Sequence, residues 1–139
     1  MESNCIFCKI SNKEIQSNVI YENDHTISFL DLSPNSNGHC LVIPKKHYEN
    51  FEQTDIKDVI EVMKAKKEVI KILKKTFNPN GFNFVSNQGA EAFQTVFHYH
   101  EHIIPKYIKE NGYTFKINKH KDDLDVLEVY KKISDYTVD

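Results

Sequence analysis

No arginine and no tryptophan occur in this chain of 139 residues, and glycine is scarce, at four positions. Gly38, Gly81, Gly89 and Gly112 stand too far apart to form the dinucleotide-binding fingerprint or the phosphate-cradling P-loop. All 18 basic residues are lysines, so a bound phosphate would have to be held by imidazole, backbone N–H, amide and hydroxyl groups rather than by a guanidinium fork. A net charge of −2 provides no general attraction for polyanions, and nucleic acid is not an expected partner. The longest aliphatic runs, such as Leu41-Val42-Ile43, fall far short of a membrane span, so no membrane partner is expected either. Three cysteines, an odd number, with nothing ahead of Cys5 that reads as an export signal, point to a reducing compartment and an expected cytoplasmic location.

What is present is the composition of one globular domain: 40% hydrophobic and 27% charged residues, enough to build a core without disulfides. Residues 5–12 read as a short helix with Cys5 and Cys8 at i, i+3 and Ile6 with Ile10 at i, i+4. Residues 19–23 and 25–32 read as strands joined by a turn at Asn23-Asp24, and period 2 puts Ile27, Phe29 and Asp31 on one face. A turn cluster over 33–38 precedes a buried strand at 39–44. The clearest helix spans 55–77, with Ile56, Val59, Ile60, Met63, Ile70, Leu73 and Phe77 as its apolar stripe, Thr54 as N-cap and Asn78-Pro79 as the stop. Its lysines between 64 and 75 read as a solvated face. Strands at 82–87 and 96–105 flank a polar loop, and a last helix runs from about Asp122 to Ser134. Strands grouped around one long helix predict an α+β fold with an antiparallel sheet of about five strands.

The chemistry concentrates in one segment. His98, His100 and His102 alternate with Phe97, Tyr99, Glu101 and Ile103, which predicts three imidazoles on one face of a strand. At a rise of about 3.4 Å per residue the outer two would be about 14 Å apart, too far for one ion to take all three. A neutral imidazole is a nucleophile, a proton carrier or a metal ligand near neutral pH, so the three are expected to divide these tasks. Cys5-x-x-Cys8 by itself fits a zinc half-site, a redox pair or two buried thiols.

The segment His98-Tyr99-His100-Glu101-His102-Ile103-Ile104 resembles the HxHxHxx signature of the histidine triad (HIT) family. Cys5-Ile6-Phe7-Cys8-Lys9-Ile10, Phe29-Leu30-Asp31-Leu32-Ser33-Pro34, Gly38 through His47, Asn87-Gln88-Gly89 and Gln94-Thr95-Val96 follow in that family's order, over about residues 5–107. The similarity is greatest to its bacterial Hit and Hint-like branch. It implies a homodimer of the HIT-like fold and a nucleotide hydrolase or transferase that works through a nucleotidyl-histidine intermediate. His100 would be the nucleophile, His102 the contact to phosphate oxygens, and Thr95 would stand near the leaving group. Gln94 and Asn87 would hydrogen-bond phosphate and ribose, Asp31 would accept from the ribose hydroxyls, and Ile6, Phe7, Ile10, Phe29 and Leu32 would form the purine slot. The same resemblance implies structural zinc on Cys5, Cys8, His47 and His98, with His98 oriented by the metal, and His39 as a hydrogen-bonding partner beside the triad. Cys40 is expected to pack in the core, and His25 and His120 to lie on the surface.

The preferred activity is a purine nucleoside phosphoramidase acting on a purine nucleotide substrate. The alternatives are a dinucleoside polyphosphate hydrolase and a nucleotide-binding interaction protein with incidental hydrolysis. Three residues depart from the family pattern. Glu101 stands where a hydrophobic residue is usual, Phe93 where glycine is common, and Gln16 where proline is frequent. Glu101 is expected on the face opposite the histidines, with a structural or dimer-edge effect, and Phe93 is expected to narrow the phosphate or leaving-group side. Residues 108–139 are expected to form a C-terminal extension.

Overall fold

A computed structural model describes residues 4–118 and 125–136. In chain order the elements are α1 (Ile6–Ser11), β1 (Val19–Glu22), β2 (Thr26–Leu30), β3 (Cys40–Pro44), α2 (Ile56–Phe77), β4 (Gly81–Val85), a single 3₁₀ turn (Ala90–Ala92), β5 (Glu101–Lys106) and α3 (Val126–Ser134). The strands form one antiparallel sheet in the order β1-β2-β3-β5-β4, the α+β architecture that the sequence predicts. Among the described residues no helix is long and apolar enough to cross a membrane.

Local chemistry explains the hairpins. The Asn23 carboxamide oxygen accepts from the backbone N–H of His25 (2.9 Å) and of Thr26 (2.8 Å), closing the turn between β1 and β2 as an Asx motif. β2 and β3 then pair with Ile27 opposite Ile43 and Phe29 opposite Leu41. Both strands are buried on both faces, so alternate residues enter different cores. Cys40 and Val42 pack with Val62, Ala65, Val69, Leu73, Tyr99 and Ile103 beneath α2. Leu41 and Ile43 pack with Ile27, Phe29, Phe7 and Ile10 beneath α1. Gly38 lets the chain pass close to α2: its φ is +92° and a Cβ would come within 2.9 Å of Leu73 Cδ2.

The buried face of α2 differs from the predicted stripe. Val59 and Leu73 face the core and Met63 and Ile70 pack at its margin, but Ile56 (72% exposed), Ile60 (47%) and Phe77 (46%) face outward. Asp58, Val62, Ala65 and Val69 take their place. Small Ala65 allows close approach of helix and sheet, and Asp58 is tolerated because the Tyr48 hydroxyl donates to its carboxylate at 2.5 Å. Thr54 is not the N-cap. Its hydroxyl donates to Asn50 O (2.7 Å), and Asp55 takes the capping position without a capping side-chain bond, its carboxylate lying 3.1 Å from the Tyr48 hydroxyl oxygen. The helix ends as predicted, with Asn78 in the left-handed region and Pro79 beyond it.

The predicted strand over 96–105 is also corrected, because β5 begins only at Glu101. His98 and His100 precede it: the Tyr99 N–H leaves the sheet ladder to donate to Tyr48 O at 2.7 Å, and the His98 ring turns toward Cys5 and Cys8. The other strand limits move by two residues at most, leaving Asp31 and Leu32 just past β2. The last helix is seen as Val126–Ser134, with no buried residue; positions 122–124 of its predicted span, and His120, lie outside the described residues.

The two α2 faces give a direct test. Leu73→Ala, at 2% exposure, should cost about 2–5 kcal/mol, whereas Ile56→Ala should stay within about 0.5 kcal/mol of wild type in chemical denaturation. Comparable losses from both would contradict this phase of the helix.

Candidate active site

His100 is buried against the edge of the Phe7 ring, with centroids 5.2 Å apart. Its Nδ1 lies 2.7 Å from the His98 carbonyl oxygen. A carbonyl only accepts, so Nδ1 carries the ring proton and Nε2 keeps its lone pair. Burial lowers the pKa of this ring, against the opposing effects of the His98 carbonyl, Glu101 and Asp31. The geometry therefore presents a neutral imidazole with a bare Nε2.

A second pair of rings is ordered from the backbone. The Asn35 N–H donates to His39 Nδ1 at 3.1 Å, which puts the His39 proton on Nε2. That N–H points at His102 Nδ1 (3.0 Å), with Asp31 Oδ2 at 3.5 Å. His102 Nδ1 is therefore the acceptor, and its proton sits on Nε2, free to donate. Burial pushes His102 down to about 4, helped by His100 and His39 and opposed by Asp31. Burial likewise lowers His39, against the pull of Asp31. Asp31, His39 and His102 bring three donor atoms within 4.8 Å of one another. His39 nevertheless has no lone pair at Nε2, so the trio forms a hydrogen-bond chain rather than an ion cage.

The other sequence candidates fall into distinct settings. Phe7, Ile10 and Phe29 are buried together, with Phe7 edge-on to Phe29 at 5.5 Å. Ile6 is 47% exposed and Leu32 87% exposed, leaving that side open. Asp31 is half-buried and one of its oxygens accepts from the Ser33 N–H at 2.7 Å. Asn87 is half-buried, and Thr95 lines a cleft of about 520 Å³ together with Asn4, Cys5, Ile6, His47, Glu49, Val96 and Phe97. Gln94 is committed elsewhere: its oxygen accepts from the Gly89 N–H (2.8 Å) and its amide donates to Glu49 O (2.8 Å) and Val96 O (3.1 Å). Gln94 thus ties the loop that carries Thr95. Phe93 is 82% exposed at φ +70°, a left-handed backbone that suits the glycine common there.

Glu101 lies opposite the histidines, buried with Lys66 Nζ at 3.3 Å and accepting from the Tyr99 hydroxyl at 2.7 Å. Sequence reasoning missed this partner, since Lys66 stands among lysines that read as solvent-facing. It also missed Asn35, which acts through its backbone and leaves no side-chain signal.

Cys5, Cys8, His47 and His98 converge beside the triad, with all four donor atoms within 4.8 Å of one another. His47 Nδ1 is 3.3 Å from Cys8 Sγ, and His98 Nδ1 is 3.3 Å from Cys5 Sγ and 3.5 Å from Cys8 Sγ. The edge between sulfur and nitrogen in a tetrahedral zinc site is about 3.5 Å, from bonds of about 2.3 and 2.0 Å. His98 Nε2–H donates to Pro44 O at 2.8 Å, which leaves Nδ1 bare and aimed at the thiols. The four residues fit a tetrahedral metal ion.

The fold and its ordered imidazoles define a histidine-triad protein. The HIT domain profile matches residues 12–109, and the chain belongs to that family. It is 49% identical over 117 residues to an uncharacterized HIT-like protein of Mycoplasma genitalium, covering 84% of this chain and 83% of that one. It is 37% identical over 108 residues to the adenosine 5'-monophosphoramidase of Schizosaccharomyces pombe, covering 78% of each. The crystal structure of a HIT family member from Bacillus subtilis superposes with a TM-score of 0.85 at 36% identity, covering 99% of both chains.

The depressed His102 should be visible in a ring-nitrogen NMR titration, staying neutral with its proton on Nε2 until the pH nears about 4. The unfolded imidazole takes its proton near about 6.5, so the folded state loses stability as pH falls from about 6.5 toward about 4. A His102 midpoint near 6.5 would contradict the arrangement.

Proposed function

We propose that the chain is a purine nucleoside phosphoramidase that cleaves a P–N bond at the α-phosphorus through a nucleotidyl-His100 intermediate. The observation that carries this reading is the hydrogen bond from His100 Nδ1 to the His98 carbonyl, which commits the bare Nε2 to attack. In the first step Nε2 bonds to phosphorus, the P–N bond breaks, and the departing nitrogen takes its electron pair and a proton from solvent. Water then attacks the same phosphorus and gives a proton back to solvent, the P–Nε2 bond breaks, and the nucleoside monophosphate leaves. His102 Nε2–H donates to a phosphoryl oxygen whose charge grows in the transition state. Asp31 accepts from the ribose hydroxyls, Asn87 donates nearby, and Phe7, Ile10 and Phe29, with Ile6 and Leu32 at the open side, receive the purine. Thr95 meets the leaving group. Zinc held by Cys5, Cys8, His47 and His98 would supply a structural cross-link between α1 and the triad segment.

The cleft beside Thr95 favours an amine over a polyphosphate as leaving group. Its walls are Ile6, Val96 and Phe97 with Cys5 and His47, its carboxylate is Glu49, and no lysine lines it among the described residues. A departing polyphosphate would lack a cation to neutralise it, whereas an amine needs none. The name of the Schizosaccharomyces pombe relative supports the same choice. The unit is proposed to work as a homodimer of single domains, each with a core of about residues 5–107 and an extension over 108–139.

The test compares an adenosine phosphoramidate and a diadenosine polyphosphate on wild type, His100→Ala and His102→Ala. Preferential turnover of the phosphoramidate, lost about 10⁴-fold in His100→Ala and about 10²-fold in His102→Ala, is expected. Preference for the polyphosphate would select the other hydrolase, and AMP binding without turnover of either substrate would leave a binding protein.

A further inference from the structure

The four-donor cluster and the nucleotide site share two pieces of chain. The first is α1, only six residues long and too short to hold itself together. Cys5 is its N-cap, with Sγ accepting from the Cys8 N–H at 3.4 Å, while Phe7 on the same helix touches both His98 and His100. The second is His98, whose ring faces both thiols while its carbonyl holds the His100 proton. Loss of the cluster would therefore release the helix that walls the base slot and the residue that orients the nucleophile.

The three cysteines differ in accessibility. Cys5 is half-buried and opens onto the cleft of about 520 Å³ that also holds His47 and Thr95. Cys8 is 1% exposed, within reach of the Cys5 sulfur but not of solvent. Cys40 is fully buried, and burial pushes its thiol up to about 12, which keeps it protonated and unreactive.

We propose that Cys5, Cys8, His47 and His98 form a thiol-controlled latch on the nucleotide site, closed around zinc and opened when a peroxide joins Cys5 and Cys8 as a disulfide. The inference rests on the nucleotide-binding reading given above. The Cys5 thiolate attacks a peroxide oxygen, the O–O bond breaks, and hydroxide leaves a sulfenic acid. The Cys8 thiolate then attacks Cys5 Sγ, the S–S bond forms, the S–O bond breaks, and a second hydroxide leaves. Two solvent protons convert both hydroxides to water, so peroxide is reduced by the two electrons the thiolates give up. The neutral disulfide no longer supplies two anionic ligands, and zinc departs. Two sulfurs three residues apart at a helix start can form this bond without moving the strands.

The experiment treats the full, zinc-loaded chain with stoichiometric hydrogen peroxide. Zinc release is followed with a chromogenic chelator, disulfide formation by peptide mass spectrometry and AMP affinity by calorimetry. A Cys5–Cys8 disulfide, released zinc and a rise of about tenfold or more in the AMP Kd should appear together and reverse with dithiothreitol and Zn(II). Cys40→Ser should respond like wild type. A Cys5→Ser/Cys8→Ser double variant, its fold checked by circular dichroism, should bind AMP weakly and ignore peroxide. AMP affinity that persists after zinc release overturns the latch alone, as does an equal peroxide response in the double variant. Failure of the reduced, zinc-loaded protein to bind AMP overturns the nucleotide reading and the latch with it.

Discussion

The hydrogen bond between His100 Nδ1 and the His98 carbonyl is the constraint on which the site depends. It exists because residues 98–100 leave the sheet before β5 begins, held by the Tyr99 N–H on the Tyr48 carbonyl. A regular strand would spend its carbonyls on the ladder and space the rings evenly. Here the carbonyl is available, and the rings of His100 and His102 come to 5.2 Å. His98 is fixed in turn by Pro44 O on one ring nitrogen and the thiols on the other. The two carbonyls can only accept, so the tautomers of His98 and His100 follow from the backbone.

The same logic explains a chain without arginine. In the proposed site, recognition of an anion would fall to protons placed on known nitrogens, as in the run from Asn35 through His39 to His102. These rings are buried enough to stay neutral, which suits donation and nucleophilic attack better than charge pairing. On the far side of the sheet the half-buried Lys66 pairs with the buried Glu101, which Tyr99 also holds, and this ties the triad segment to α2.

Much of this was legible in the sequence because it depends on period and spacing. Alternation placed Ile27 and Phe29 on one face of β2, the turn at Asn23-Asp24 marked its hairpin with β1, and Cys5-x-x-Cys8 offered two donors to which the family resemblance added His47 and His98. Other features answer to distant parts of the chain and leave no local trace. Tyr48, through its carbonyl and its hydroxyl, both pulled His98 and His100 off the strand and let Asp58 face inward. Ala65 faced the core because it is small, where bulk suggested Ile60. The family resemblance implies a phosphate contact for Gln94, yet its three hydrogen bonds go to the backbone of Gly89, Glu49 and Val96.

The central claim is that bond formation to phosphorus occurs at His100 Nε2. Rapid acid–base-controlled quenching during turnover of a labelled adenosine phosphoramidate, followed by peptide mass spectrometry, locates any nucleotidyl group on the chain. The label should be found on His100, should be stable to base and labile to acid as a phosphorus–imidazole bond is, and should be absent in His100→Ala. Label on His102 or His39 would contradict the account.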